Sequence, residues 1–182
     1  NEKDYYNFHV NRLLKYIFKT QFHPKYRSGG KNGCYGVQTS KKLLISFFLD
    51  AGFKPGSKSH TVRIPEYIKN SKKSIKYAFI RGLFDTDGCI RFQRINNQTK
   101  HTYPRIEFSS VSIDLREDLF FLLKELGFRI HKWGRKDYKI AINGINQSKK
   151  FFNEVSPANK KHLKRYKFFE NHGFFSPYAA VA

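Results

Sequence analysis

Apolar side chains recur along this chain at two periods, and the two alternate. Between Lys3 and Ile17 they fall at Tyr6, Val10, Leu13, Leu14 and Ile17, the spacing that gives a helix one apolar face. Two short stretches rich in β-formers follow, Phe22 to Arg27 and Cys34 to Thr39. Ser28, Gly29, Gly30, Asn32 and Gly33 between them predict a hairpin. Ser40 is placed to N-cap a second helix over Lys41 to Leu49, ended by Gly52. Pro55, Gly56, Ser57, Ser59 and Pro65 then mark residues 53–73 as a linker.

After the linker the order runs again. A helix over Ser74 to Asp85 leads into strands over Cys89 to Ile95 and Tyr103 to Ser109, then a helix over Leu115 to Leu126. Strands over Arg129 to Trp133 and Tyr138 to Ile142 precede helices over Ser148 to Val155 and Asn159 to Asn171. Leu13-Leu14-Lys15 recurs as Leu122-Leu123-Lys124, and Ser40-Lys41-Lys42 as Ser148-Lys149-Lys150, at nearly the same offset. The expected organisation is therefore an α+β chain in which residues 1–52 are the later part of a first repeat. Residues 74–157 form a second repeat, and 158–182 a basic C-terminal helix and tail. The first counterpart of 74–109 would lie before Asn1, in keeping with the lack of any methionine.

Charge narrows the choice of partner. The 182 residues carry 35 Lys and Arg against 14 Asp and Glu, a formal net charge of +21. Such an excess points to a polyanion, nucleic acid first. No run of about 18 apolar residues and no polybasic amphipathic helix is present, which argues against a membrane. Cys34 and Cys89 are too few and too far apart for a disulfide framework or a four-ligand zinc site, and none of the seven histidines has zinc-site spacing. A reducing compartment fits, prokaryotic cytoplasm or an organelle, and no signal peptide opens the chain.

The chemistry concentrates in Ile80 to Gly88, which reads IRGLFDTDG. Ala78, Gly82 and Thr86 lie four apart, so a helix here carries a stripe of small residues along which another backbone can approach closely. At its end sit Asp85 and Asp87, one residue apart, and then Gly88, able to take the left-handed geometry that ends a helix. A carboxylate held there can bind Mg²⁺, with water and phosphate oxygens completing the shell. The alternative is a solvated Asp-x-Asp-Gly turn without a metal.

Position by position this segment resembles the LAGLIDADG motif of the homing endonucleases encoded in introns or inteins, and its flanks fit a helix-to-strand junction. The resemblance implies two pseudo-symmetric αββαββα halves, the first incomplete here, with motif helices at the seam and two sheets forming a DNA-binding saddle. It implies a site-specific endonuclease that binds a long double-stranded DNA target and hydrolyses both strands with Mg²⁺ or another divalent cation. By the same resemblance Asp87 is the metal-binding acid, the Thr86 carbonyl a further ligand and Asp85 structural. Lys139 is the candidate basic residue near the metal, with Lys132 and Lys136 as alternatives. Only one motif is present, so the second helix and acid would come from an upstream segment or, less readily, a second copy of the chain. An RNA maturase or a non-catalytic DNA-binding regulator of the same descent is the competing reading.

Strand alternation nominates the DNA-facing residues. With Ile90, Phe92, Ile106, Phe108, Ile130, Ile140 and Ile142 inside, Arg91, Gln93, Arg105, Glu107, Arg129, His131 and Lys139 face out. In the first half His23, Lys25, Arg27 and Gln38 are the equivalents. Arg and Gln on such a face suit the guanine and adenine edges of a major groove. The basic run Lys160, Lys161, His162, Lys164, Arg165 and Lys167 is suited to phosphates or is solvated.

Overall fold

A computed structural model describes residues 2–26, 34–53, 56, 59–96, 99–131 and 138–176. The chain divides into two compact units, Asn1–Pro55 with Ala158–Lys160, and Gly56–Pro157 with Lys161–Ala182. Arg27, Lys132, Lys136 and the centre of the expected first hairpin lie outside the described residues.

The first unit opens with α1 (Glu2–Tyr5), a π-helical turn over Tyr6–Val10, and α2 (Asn11–Phe18). Lys19, at φ +49°, ends α2. Strands β1 (Lys25–Tyr26) and β2 (Tyr35–Gly36) pair antiparallel, shorter than the alternation suggested. Tyr6 anchors the second of them to the helix. Its hydroxyl accepts the Val37 N–H at 3.0 Å, and its ring lies 3.3 Å from where a Cβ on Gly36 would sit. Helix α3 (Lys42–Asp50) begins one residue later than expected: Lys41, not Ser40, takes the N-cap position and offers no side-chain cap. The Thr39 hydroxyl instead accepts the Lys41 N–H at 3.2 Å.

The second unit runs α4 (Glu66–Lys69), α5 (Lys73–Asp87), β3 (Gly88–Gln93), β4 (Tyr103–Ser109), α6 (Ile113–Glu125), β5 (Ile130–His131), β6 (Lys139–Asn143), α7 (Ile145–Glu154) and, from Lys161 onward, α8 (Lys160–His172). From α5 to α7 the order is αββαββα, as the sequence pattern predicted. The four strands form one antiparallel sheet in the order β3-β4-β6-β5. Period-two alternation decides its faces. Ile90, Phe92, Ile106, Phe108, Ile140 and Ile142 are buried on one side, with Ile80 and Phe84 of α5, Leu119 and Leu123 of α6 and Phe151 of α7 in the same cluster.

Two devices tie residues 62–69 to α6. The Ser112 hydroxyl caps α6 by accepting the Leu115 N–H at 3.2 Å and donates to the Val62 carbonyl at 2.7 Å. Asp118, itself buried, accepts the Ile64 N–H at 3.0 Å and meets Lys69 Nζ at 3.3 Å. Ile64 and Ile68, in the stretch whose prolines and glycine resemble a linker, are thereby held in the core.

Phe84 stands at the centre of the aromatic packing. It is fully buried and meets Phe151, Phe108 and Phe152 at centroid distances of 4.9, 5.8 and 6.2 Å, and the His162 ring of α8 at 4.5 Å. His162 therefore faces inward and does not belong to an exposed basic run. Burial first, then the nearby charges of Lys161 and Arg165, push its pKa down to about 4. The folded protein holds it neutral, whereas the unfolded chain takes up a proton below about 6.5. Its contribution to stability is complete above pH 6.5 and is lost as pH falls from 6.5 towards 4. Replacing His162 with Phe should flatten this part of the pH dependence, a difference of about 3 kcal/mol at most, read by urea unfolding at pH 7 and pH 4.5.

Candidate functional site

The site is built at the end of α5. The helix buries Lys76, Ile80, Phe84 and Asp85; Lys76 Nζ is paired with Glu125 Oε1 at 2.5 Å. The opposite face presents Ala78, Gly82 and Thr86, all exposed. Glycine within a helix costs roughly 0.5–1 kcal/mol relative to alanine. Among the described residues, nothing lies within 4 Å of the position a Gly82 Cβ would take. The described fold gives no reason for glycine there.

Asp85 and Asp87 are separated by this geometry. Asp85 is 2% exposed and turned into the protein, while Asp87 is exposed. The Thr86 hydroxyl donates to the Gly82 carbonyl at 3.0 Å, and Asp87 Oδ2 lies 3.2 Å from the same hydroxyl oxygen. The Thr86 carbonyl is at the helix end, where no further turn supplies a donor. Backbone dipoles make a helix C-terminus negative, and the last turn of α5 contains no basic residue. In a chain of net charge +21, this end concentrates negative charge. An exposed carboxylate beside terminal carbonyls fits one side of an oxygen-ligated divalent cation, which takes one or two carboxylates and completes its shell with water and phosphate. Among the described residues no three His, Cys, Asp or Glu side chains converge as a self-sufficient metal cage.

Gly88 differs from expectation in an informative way. Its backbone is extended, φ −84° and ψ 166°, and not left-handed. What requires glycine is proximity: a Cβ would stand 2.7 Å from both the Cα and the carbonyl oxygen of Phe84. The chain turns from helix into strand with no intervening residue, folded against its own last turn.

That turn fixes the polar face of the sheet. Cross-strand pairing sets Cys89 opposite Glu107, Arg91 opposite Arg105 and Gln93 opposite Tyr103, then Arg105 opposite Asn143 and Ser109 opposite Lys139. His131 pairs with Ala141 and lies on the same face. Arg91, Gln93, Arg105, Lys139 and His131 are thus gathered on one surface. Tyr103 and Asn143 belong to the same face, and extending the alternation by one position in each strand finds both. Arg129 lies outside β5; its N–H is accepted by Gln147 Oε1 at 2.8 Å, and with His131, Tyr103, Asn143 and Gln147 it lines a cleft of about 370 Å³. In the first unit His23, Lys25 and Gln38 are exposed, with Lys25 alone of the three on a strand.

Lys139 and Asp87 come to the same end of the sheet. Gly88, the residue after Asp87, pairs with Phe108, and in the next position along β4 Ser109 pairs with Lys139. Asp87 and Ser109 border one shallow cleft with Ser110, Arg116 and Ile140.

Glu107 corrects the outward reading. It sits on the polar face but is only 4% exposed, turned in beneath its neighbours, so its carboxylate is not presented to a base edge. Arg91 Nε and Arg105 Nε each approach it to 3.1 Å and Lys139 Nζ to 3.5 Å. Hydrogen bonding to Cys89 and the Glu107 charge hold the Arg91 pKa above its ordinary value. Arg165 of α8 is half-buried, and burial lowers its pKa, partly countered by Cys89; no local sequence signal placed it beside these two.

Residues 74–156 match the LAGLIDADG-like domain family. The chain carries a LAGLIDADG domain. It is 32% identical over 149 residues to an uncharacterized protein of Methanocaldococcus jannaschii, covering 78% of this chain and 15% of that protein. It is 30% identical over 148 residues to a probable translation initiation factor IF-2 of the same organism, covering 81% of this chain and 11% of the factor. Similarity at 28% over 106 residues extends to a ribonucleoside-diphosphate reductase alpha subunit of Bacillus subtilis, covering 57% of this chain and 9% of the subunit. The chain thus spans a small fraction of the relatives it matches. The match of residues 74–156 supports a homing-endonuclease-like or related DNA-binding function. Among the described residues no helix is long and apolar enough to cross a membrane.

Gly88→Ala is expected to destabilise the LAGLIDADG domain by about 1–3 kcal/mol, because backbone must move to admit the methyl group. Gly82→Ala is expected to be neutral or to stabilise by up to roughly 1 kcal/mol. Urea unfolding of the two variants side by side checks both.

Proposed function

We propose that this chain is part of a site-specific homing endonuclease that binds a long duplex across its basic sheet face and hydrolyses both strands. The observation that carries the reading is the end of α5, where an exposed Asp87 closes a last turn that contains no basic residue, in a chain of net charge +21. In this reading Asp87 and the Thr86 carbonyl hold a divalent cation. The bound ion would supply charge to lower the pKa of an attacking water and to offset charge developing on the phosphate oxygens. Lys139, at the same end of the sheet, steadies the scissile phosphate. Arg91, Gln93, Arg105, Arg129 and His131 meet the groove and backbone, with His23, Lys25 and Gln38 as counterparts in the first unit.

One exposed acid accounts for one strand. The stripe Ala78, Gly82 and Thr86 is read as the seat of a second motif helix, from sequence beyond this chain or from a second copy, which brings the other acid. That matches to this chain account for only 15%, 11% and 9% of three relatives, two of whose names describe unrelated activities, supports a portable module set into host reading frames.

Two variants of the complete protein test this. Asp87→Asn should cut Mg²⁺-dependent cleavage of a randomised duplex library by about a hundredfold or more while duplex binding persists. Undiminished cleavage would remove Asp87 from the metal site, and specific binding without cleavage by the wild-type protein would favour a regulator. Gly82→Leu should leave the stability of this chain unchanged yet abolish double-strand cleavage, because it obstructs the seam alone. Retained cleavage would show that no helix packs there.

A further inference from the structure

The three cations around Glu107 pose a problem that the fold alone does not explain. Arg91 and Arg105 face each other directly across β3 and β4, a placement of like charges that destabilises a sheet. Lys139 reaches the same carboxylate from β6. One buried acid serves three bases, so the patch keeps an excess of two positive charges even when fully paired. Burying a carboxylate is itself costly unless it is compensated. Stability would be served better by neutral residues at all four positions. The contacts are also incomplete: Arg105 Nε, 3.1 Å from Oε1, lacks hydrogen-bond geometry and is a buried donor without an acceptor. Arg91 is tethered at Nε while its side chain remains 58% exposed, which leaves the outer guanidinium nitrogens able to reach a ligand. The arrangement holds cations in place without neutralising them.

From this we infer that Glu107 is a positioning residue, which spaces Arg91, Arg105 and Lys139 for the duplex and limits their sequence-independent attraction to phosphate. The inference rests on the DNA-binding reading and deepens it. Fixed guanidinium forks discriminate base edges and phosphate positions, whereas loose ones bind any polyanion. Withdrawing one negative charge from the patch exposes one more cation to phosphate. Each additional phosphate neutralised steepens the logarithmic salt dependence of binding by about 0.9.

The test is Glu107→Gln in the complete protein, measured on a duplex of arbitrary sequence over a salt series and by selection from a random duplex library. Affinity for the arbitrary duplex should rise several-fold at low salt, with the slope steeper by about 0.9, while the selected sequences become more degenerate. Unchanged slope and unchanged selectivity, or weaker binding to every duplex by a folded variant, would overturn the inference. A structural strand residue predicts that last result. A measurement on the wild-type protein is independent of whether the variant folds. The Nε–Hε signal of Arg91 should show backbone-like order without DNA, and a freely averaging signal would refute the tether. If the wild-type protein binds no duplex at all, the DNA reading fails by itself, and the Arg91 signal still decides whether Glu107 holds that neighbour.

Discussion

Everything at this site depends on a contact the chain makes with itself, the backbone of Gly88 pressed against the last turn of α5 at Phe84. Phe84 is held in turn by a shell of aromatic rings from β4, α7 and α8. The strand therefore leaves the helix in a fixed direction from a fixed point. Had a loop intervened, Asp87 and the first outward residues of β3 would have been free to move independently. With no loop, the acid, the polar sheet face and the core are positioned by one packing event, and displacement of any of them is resisted by the core.

Charge is distributed across this frame in opposition. The net excess of +21 is not spread evenly: the sheet face gathers Arg91, Arg105 and Lys139 about one buried acid, while the end of α5 carries an exposed acid and no base in its last turn. A polyanion is attracted to the first region and repelled by the second unless a cation lies between them. The two regions are joined at Gly88, where α5 passes directly into β3, so one junction sets both the acidic helix end and the cationic sheet face.

Much of the second unit was legible because one face of its sheet is buried. Wherever apolar burial imposes a period of two, as in Ile90-Arg91-Phe92-Gln93, the outward residues follow without further information. The order αββαββα and the exposed Ala78–Gly82–Thr86 stripe were readable for the same reason. Local patterns said less where burial does not impose a period. The strands of the first unit are only two residues each among the described residues, so His23 and Gln38 lie off them. Ser40 had the chemistry of an N-cap, but hydrogen bonding through Thr39 fixes the start of α3 one residue later. His162 appeared in a run of bases because the run is consecutive in sequence, whereas a helix turns every fourth residue into the core.

Glu107 and Gly88 show two different limits of such reading. Alternation assigns Glu107 to the polar face correctly, but whether a polar-face residue is exposed depends on what its cross-strand neighbours do. Long basic side chains on β3, β4 and β6 converge over a shorter acid, and none of them is near it in sequence except Arg105. For Gly88 the residue type was read correctly and the reason was not. A glycine after a helix suggests a left-handed cap, yet here it permits backbone to touch backbone, a requirement visible only once Phe84 is known to be immovable. Both cases concern groups whose role is fixed by burial in three dimensions. The parts of this site that a sequence pattern conceals are therefore those in which a small or acidic residue sets the positions of larger neighbours.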